Sequence, residues 1–160
     1  MKTLHSFFLL CVLIGSALLI LEGCSSSRRS GCSYCLSPDT IIVSSGGGFS
    51  GFYNFYSIAS SGSIRSWQQR TGTMRDTIFA ERTIDCDSVA FYFEFLNRID
   101  FASINYSHNG NMNYKIERRS SGKNHVVSWG DSDPSAPREA VVFYTLLSHA
   151  ARRWAESSGK

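Results

Sequence analysis

The chain has 160 residues, a formal net charge of +3 and 42% hydrophobic residues, which is enough for one folded domain after an N-terminal segment is set aside. The charge is too small to indicate nucleic-acid binding, and the basic residues are scattered along the chain. We therefore expect no nucleic acid among its partners.

Residues 1–23 have the composition of a bacterial signal peptide. A basic start precedes an apolar run over residues 7–21, which is shorter than the ~20 residues that a membrane-spanning helix needs. The run ends in Leu-Glu-Gly-Cys at residues 21–24, and this ending resembles the lipoprotein signal, in which the cysteine becomes the lipidated first residue. Glu22 departs from that pattern, since a small residue is normal at its position.

We expect Cys24 to carry the lipid and to attach the protein to a membrane of the bacterial cell envelope. A plainly secreted protein and an uncleaved membrane anchor are the alternatives. Ser25, which follows the cysteine, favours the outer membrane under the sorting rule known for some bacteria. The sequence offers no second apolar span, so the lipid is the expected anchor.

Residues 24–37 are polar and serine-rich, and we expect this tether to hold the domain of residues 38–160 away from the membrane. Three further cysteines remain after the signal is removed: Cys32, Cys35 and Cys86. The spacing of Cys32 and Cys35 occurs in redox motifs, but those open a helix after a strand, whereas this pair precedes the first strand. A disulfide from Cys86 to Cys32 or Cys35 is the favoured hypothesis, worth about 4 kcal/mol in the chain-entropy model.

Four strands are predicted in the first half of the domain. Residues 40–44 are short and β-branched, residues 52–58 alternate with apolar side chains on both faces, and residues 64–70 resume a strand after a turn. A weaker strand is predicted over residues 77–84.

A glycine-rich segment joins the first two strands, and we call it the glycine loop: Gly46, Gly47, Gly48, Phe49, Ser50 and Gly51. It contains GxGxxG, but a strand follows instead of the helix that a dinucleotide site requires, and the P-loop lysine is missing. Ser50 also lacks the second glycine of a hydrolase GxSxG motif. We interpret the loop as a connection that needs positive φ or close backbone approach, and as a possible interaction surface with Phe49 at its tip. The competing interpretation places Phe49 in the core.

Two helices are predicted from apolar residues at helical spacing. The first follows Asp87 or Ser88 as N-cap and has Val89, Phe93 and Leu96 on one face, although the alternating aromatics there also permit a strand. The second follows a proline-containing turn and shows a longer stripe: Ala140, Phe143, Leu147, Ala150 and Trp154.

A hairpin is predicted between the helices, with strands at residues 112–117 and 125–129 and a turn at residues 120–123. Because the strands form hairpins and the helices are few, we predict an α+β fold. It is an antiparallel sheet of five to six strands with two packed helices.

No catalytic or metal site is predicted, and no cofactor is expected. His108, His125 and His149 come from a loop, a strand and a helix without metal-ligand spacing, and His125 is expected beside Trp129 or in solvent. Carboxylates near the helix starts are assigned to helix N-termini and turns rather than to acid–base chemistry: Asp85, Asp87, Asp131 and Asp133.

Several segments together resemble the emfourin-type inhibitors of thermolysin-like metalloproteases. They are a first strand running into GGFSG (47–51), a helix ending in Asp100-Phe101, the strand NYKIERR (113–119), a His-Val strand (125–127), an Asp-Pro turn and a final amphipathic helix. The resemblance covers residues 40–150 and implies a protein inhibitor that plugs a protease cleft with the glycine loop. The third glycine at Gly46, a longer segment before the first helix and the lipid anchor depart from the family pattern.

Two functional hypotheses remain from the sequence. One is a lipid-anchored binding or structural module of the cell envelope without catalytic activity, with an envelope or secreted protein as partner. The other is an inhibitor of a thermolysin-like metalloprotease. An exposed and rigid Phe49 favours an interaction loop, because preorganisation limits the entropy cost of binding, whereas a structural role favours a buried Phe49.

Overall fold

Six strands form one antiparallel sheet in the computed structural model, which describes residues 38–73 and 76–156. Two long helices accompany the sheet in these ranges, and the predicted α+β fold is confirmed. The predictions for the signal, for the lipid on Cys24, for the tether, and for Cys32 and Cys35 concern residues outside the described ranges.

The strands are β1 (Thr40–Gly47), β2 (Phe52–Ala59), β3 (Ser63–Arg70), β4 (Asp76–Thr83), β5 (Met112–Ser120) and β6 (Lys123–Gly130). They lie in the order β4-β3-β2-β1-β5-β6, and every neighbouring pair is antiparallel. Strands β1 to β4 form a meander, and the β5–β6 hairpin pairs with the other side of β1. Strand β1 is therefore central, and its two ends define the two ends of the sheet.

Strand β1 continues beyond the predicted end at Ser44. Ser45, Gly46 and Gly47 still pair with both β2 and β5, so the ladder on each side extends the strand into the glycine loop. Glycine has a poor strand propensity, and here the two neighbouring strands impose the extended conformation.

The helices α1 (Cys86–Arg98) and α2 (Arg138–Glu156) pack on one face of the sheet. Alternate strand residues point to this face and are fully buried there, since the side-chain period of a strand is two. The buried apolar residues form one core: Ile41, Val43, Ile58, Ile64, Val89, Phe93, Leu96, Phe101, Ile116, Val127, Ala140, Phe143, Leu147 and Ala150. The apolar stripes predicted for both helices lie in this core, except that Trp154 is half-buried against it.

Helix α1 begins at Cys86 and is capped by Asp85, so the predicted N-cap at Asp87 or Ser88 is wrong. The Asp85 carboxylate accepts hydrogen bonds from the backbone N–H and the hydroxyl of Ser88, both at 2.8 Å. These hydrogen bonds hold the pKa of Asp85 below its ordinary value. The cap lies earlier because a side chain caps the N–H three residues further on, which places Ser88 inside the first turn.

Aromatic rings join the two helices. Phe143 of α2 lies 5.4 Å from Phe95 and 6.2 Å from Tyr92 of α1, measured between ring centres, and Tyr92 also meets Trp154 edge-on at 6.1 Å. Such tilted and edge-to-face pairs are the favoured aromatic geometries. They fix α2 against α1 above the sheet.

Candidate functional site

The glycine loop joins β1 to β2 at one end of the sheet, which we call the loop end. Its middle, Gly48–Ser50, forms one turn of 3₁₀ helix, and Gly51 follows in the left-handed region with a φ of 62°. Gly47 and Gly48 also have positive φ angles, of 116° and 63°. Side chains are strained at such angles, so the predicted need for positive φ is confirmed.

Position 46 requires glycine because the backbone of the neighbouring strand β2 occupies the space that a Cβ atom would need. A Cβ atom on Gly46 would lie 2.6 Å from the Cα atom of Tyr53 on β2. A Cβ atom on Gly47 would lie 2.7 Å from the carbonyl oxygen of Asn111. The predicted close approach is therefore also confirmed.

Hydrogen bonds fix the loop to the turns on both sides. The N–H of Gly48 donates to the carbonyl oxygen of Asn111, just before β5, at 2.7 Å. The carbonyl oxygen of Gly51 accepts from the N–H and the hydroxyl of Thr71, which follows β3, at 2.7 and 2.9 Å. Because both halves of the loop are held by neighbouring segments, its conformation is set before any partner binds.

Phe49 lies at the tip of this loop, and its side chain is wholly exposed, with a relative exposure of 108%. The interpretation that places Phe49 in the core is therefore wrong. Beside it, the hydroxyl of Ser50 donates to the carbonyl oxygen of Gly47 at 3.2 Å and closes the turn. Phe52 is also partly exposed, with the guanidinium of Arg70 5.8 Å from its ring centre.

The segment that supports Asn111 is itself held in place. The side-chain oxygen of Asn113 accepts from the N–H of Gly110 at 3.0 Å, and the Asp131 carboxylate accepts from the N–H of Met112 at 3.1 Å. The N–H of Asp131 returns a hydrogen bond to the Met112 carbonyl oxygen at 2.9 Å. Asp131 lies in the turn after β6, as predicted, and the pairing of β5 with β6 brings it to the start of β5, where it supports the loop.

Asp133 contacts side chains that lie about 25 residues earlier in the chain. Its carboxylate is 5% exposed, accepts a hydrogen bond from the Tyr106 hydroxyl at 2.8 Å and lies 3.3 Å from His108 Nδ1. Its other oxygen accepts from the N–H of Ser135 at 3.0 Å. The hydrogen bond to Asp133 raises the pKa of Tyr106. Asp133 thereby joins the segment before β5 to the start of α2, which is a structural role.

His125 packs against Phe101, not Trp129, with perpendicular rings whose centres are 5.1 Å apart, and its side chain remains partly exposed to solvent. Its Nε2 donates to the Ile104 carbonyl oxygen at 3.0 Å, since a carbonyl can only accept. The 3₁₀ turn after α1 covers this part of β6, and periodicity alone could not reveal that turn. Within residues 38–73 and 76–156, no group of three His, Cys, Asp or Glu residues is placed to hold a metal ion.

A second surface lies on the sheet face opposite the helices. Phe55 and Trp67 stack on neighbouring strands with ring centres 5.0 Å apart, and the guanidinium of Arg65 lies 5.5 Å from the Trp67 ring. With Arg119 on the far side, these residues border a shallow depression of about 410 Å³. The signal for this surface in the sequence is that residues 52–58 carry apolar side chains on both faces of the strand.

Cys86 is disulfide-bonded. All other cysteines of the chain lie within residues 1–37, outside the described ranges, so the pairing with Cys32 or Cys35 stays a prediction.

Within the part of the chain that the structure describes, neither α1 nor α2 is long and apolar enough to cross a membrane. No protein-family model matches the chain, and no curated protein matches its sequence.

Proposed function

We propose that this protein is a binding module of the bacterial cell envelope, anchored by a lipid on Cys24 to the outer membrane, that contacts a protein partner through the glycine loop. The observation that supports the proposal most is Phe49, a wholly exposed phenylalanine at the tip of a loop held on both sides by hydrogen bonds. A large aromatic side chain in solvent contributes little to the fold, because it removes no apolar surface from water.

The loop has the physical properties of an interface anchor. A phenylalanine that is buried on binding contributes ~2 kcal/mol or more at the centre of an interface. The hydrogen bonds of the loop with Asn111, which accepts, and Thr71, which donates, reduce the entropy that the loop would otherwise lose on binding. Glycines on both sides of Phe49 also let the backbone of a partner approach closely.

Inhibition of a thermolysin-like metalloprotease is the second candidate function. The same exposed loop, held by hydrogen bonds on both sides, favours this function. A segment that is already ordered loses less conformational entropy when it enters a protease cleft. The motifs around residues 47–51 and 113–119 supply the family resemblance. In this candidate the partner is the protease itself, and the glycine loop enters its substrate cleft.

The experiment compares Phe49→Ala with the wild-type protein. We expect an unchanged melting temperature, because the side chain is exposed, together with at least about a tenfold loss of affinity for the partner. Partners are captured from envelope extract, and inhibition is measured in parallel with a thermolysin-like metalloprotease and a peptide substrate.

Phe79→Ala is the matched control, since Phe79 is another exposed phenylalanine, at 60%, on β4. Proteins captured by the wild type and by Phe79→Ala but lost with Phe49→Ala support the interaction loop. A large fall in melting temperature with Phe49→Ala, or full retention of binding, would contradict it.

A further inference from the structure

The chain enters the sheet at the end opposite the glycine loop. Strand β1 starts at Thr40, directly after the predicted tether, and ends at Gly47 in the loop. The seven steps between its eight residues separate the two ends by about 23 Å, because a strand rises about 3.3 Å per residue. We call the end at Thr40 the tether end.

Asp39 fixes the chain at the tether end. Its carboxylate accepts a hydrogen bond from the Ser120 hydroxyl at 2.6 Å and one from Arg118 Nη2 at 3.4 Å. Its carbonyl oxygen accepts from the N–H of Ser60 at 2.8 Å. The residue that follows Pro38 is thus tied to the β5–β6 hairpin, so Asp39 places the start of the described domain beside that hairpin.

A depression of about 520 Å³ lies at the same hairpin. It is lined by Ala102, Arg118, Ser120, Lys123, Asn124 and His125. The Asp39 carboxylate pairs with Arg118 and accepts from Ser120, so Lys123 supplies the positive charge that a ligand would meet. Arg118 is held in place because its Nη1 donates to the Asn97 side chain at 2.6 Å. The side chains of Lys123 and Asn124 make no hydrogen bond or ion pair with other residues of the described ranges. The Lys123 ammonium is therefore available to an anion.

We propose that this depression binds the phosphate of an anionic lipid headgroup. The proposal rests on the lipid anchor of the proposed function, because the anchor brings the tether end to the membrane surface. Two further arginines, Arg28 and Arg29, lie in the tether itself and add positive charge near the same surface. A membrane attached through the tether presents headgroups at a high local concentration, whereas phosphate in solution is dilute, so the headgroup is the favoured ligand.

This contact sets the orientation of the domain. When the tether end rests on the membrane, the glycine loop at the other end of β1 faces away from it. Phe49 is then presented to partners at least about 23 Å above the headgroups.

The test uses the full-length protein, purified from the envelope fraction and placed in nanodiscs of phosphatidylcholine alone or with a third of phosphatidylglycerol. Amide hydrogen exchange is followed by mass spectrometry. We expect residues 120–124 to exchange about fivefold more slowly with the anionic lipid, the factor that one cation near such a surface supplies. Exchange in the glycine loop should not change, and about 0.5 M salt should remove the protection.

Lys123→Glu should abolish the protection, whereas Arg138→Glu should retain it. Arg138→Glu is the control, because it also replaces a cation by an anion. Arg138 is exposed and lies at the loop end, where α2 begins. Equal exchange in both lipid compositions would overturn the proposal. Protection produced by inorganic phosphate in neutral discs would also overturn it, since the site would then bind a soluble anion.

The lipid anchor and the headgroup site can fail separately. Protein that does not stay with the neutral discs would contradict the anchor of the proposed function. The same protein is then mixed with vesicles of the two compositions, and the exchange of residues 120–124 still decides whether the depression binds the anionic headgroup.

Discussion

Glu117 lies on the sheet face opposite the helices, between two cations. Its side chain is 8% exposed, with Lys115 Nζ 3.1 Å from one carboxylate oxygen and Arg119 Nε 2.5 Å from the other. Burial raises the pKa of Glu117, but the hydrogen bonds from Arg119 and Lys115 outweigh it and leave the pKa below the ordinary value of 4.5. The charged form of Glu117 is therefore favoured by the fold.

The lowered pKa of Glu117 predicts that its contribution to stability depends on pH. A carboxylate with a lowered pKa in the folded state stabilises the protein above its unfolded pKa, and this contribution is lost as the pH falls through the folded pKa. We expect Glu117→Gln to lower the free energy of unfolding at pH 7 by about 1–2 kcal/mol, and this difference should shrink steadily below about pH 5. Urea unfolding between pH 7 and pH 3 measures it.

Glu94→Gln serves as the control, because Glu94 is exposed on α1. The expected pH dependence is specific to Glu117. A difference between wild type and Glu117→Gln that stays constant from pH 7 to pH 3 would show that the two cations do not favour its charged form.

At the scale of elements, the start of α1 is where the chain is cross-linked. Cys86 is disulfide-bonded and follows directly after the N-cap, Asp85. Strand β4 ends at Thr83, and the N–H of Ile84 donates to the Gly62 carbonyl oxygen at 2.9 Å. The cross-link therefore attaches to a well-supported junction between β4 and α1.

We predict that the partner of Cys86 is Cys32 or Cys35. Peptide mapping without reduction decides between them, because chymotrypsin cleaves after Tyr34 and separates the two cysteines. Closing this loop should stabilise the fold by about 4 kcal/mol, so Cys86→Ser should lower the melting temperature markedly. Recovery of Cys86 as a free thiol from exported protein would contradict the prediction.

The periodicity of apolar residues predicted the buried faces of the helices but not the ends of all the elements. Both helical stripes are buried as predicted, since a stripe at helical spacing can be satisfied only by packing on a core. The end of β1 and the cap of α1 differ from the prediction because they depend on partners. Residues 45–47 are extended by pairing with β2 and β5, and Asp85 is selected by the N–H of Ser88.

At the scale of the whole molecule, Asp39 and the glycine loop lie at opposite ends of β1. We propose that a lipid on Cys24 holds the end at Asp39 near the membrane.

The prediction at this scale concerns Cys24→Ala. We expect the variant to move from the membrane fraction to the soluble fraction, or to keep its signal uncleaved, since no lipid can be attached. Cell fractionation and the mass of the mature chain measure both outcomes. Cys11→Ala, within the apolar run, should behave as wild type. Membrane attachment of an efficiently cleaved Cys24→Ala protein would contradict the anchor.

The sequence by itself determined the α+β class, the two helical faces and the need for glycine in the loop. These features depend on local propensity and on side-chain periodicity, and both are properties of residues close together in the sequence. Only the tertiary structure decided that Phe49 is exposed, that Asn111 and Thr71 hold its loop, and that Lys123 borders a depression beside the start of β1. Such features arise from residues far apart in the chain, and their contacts exist only after the strands have taken their order in the sheet.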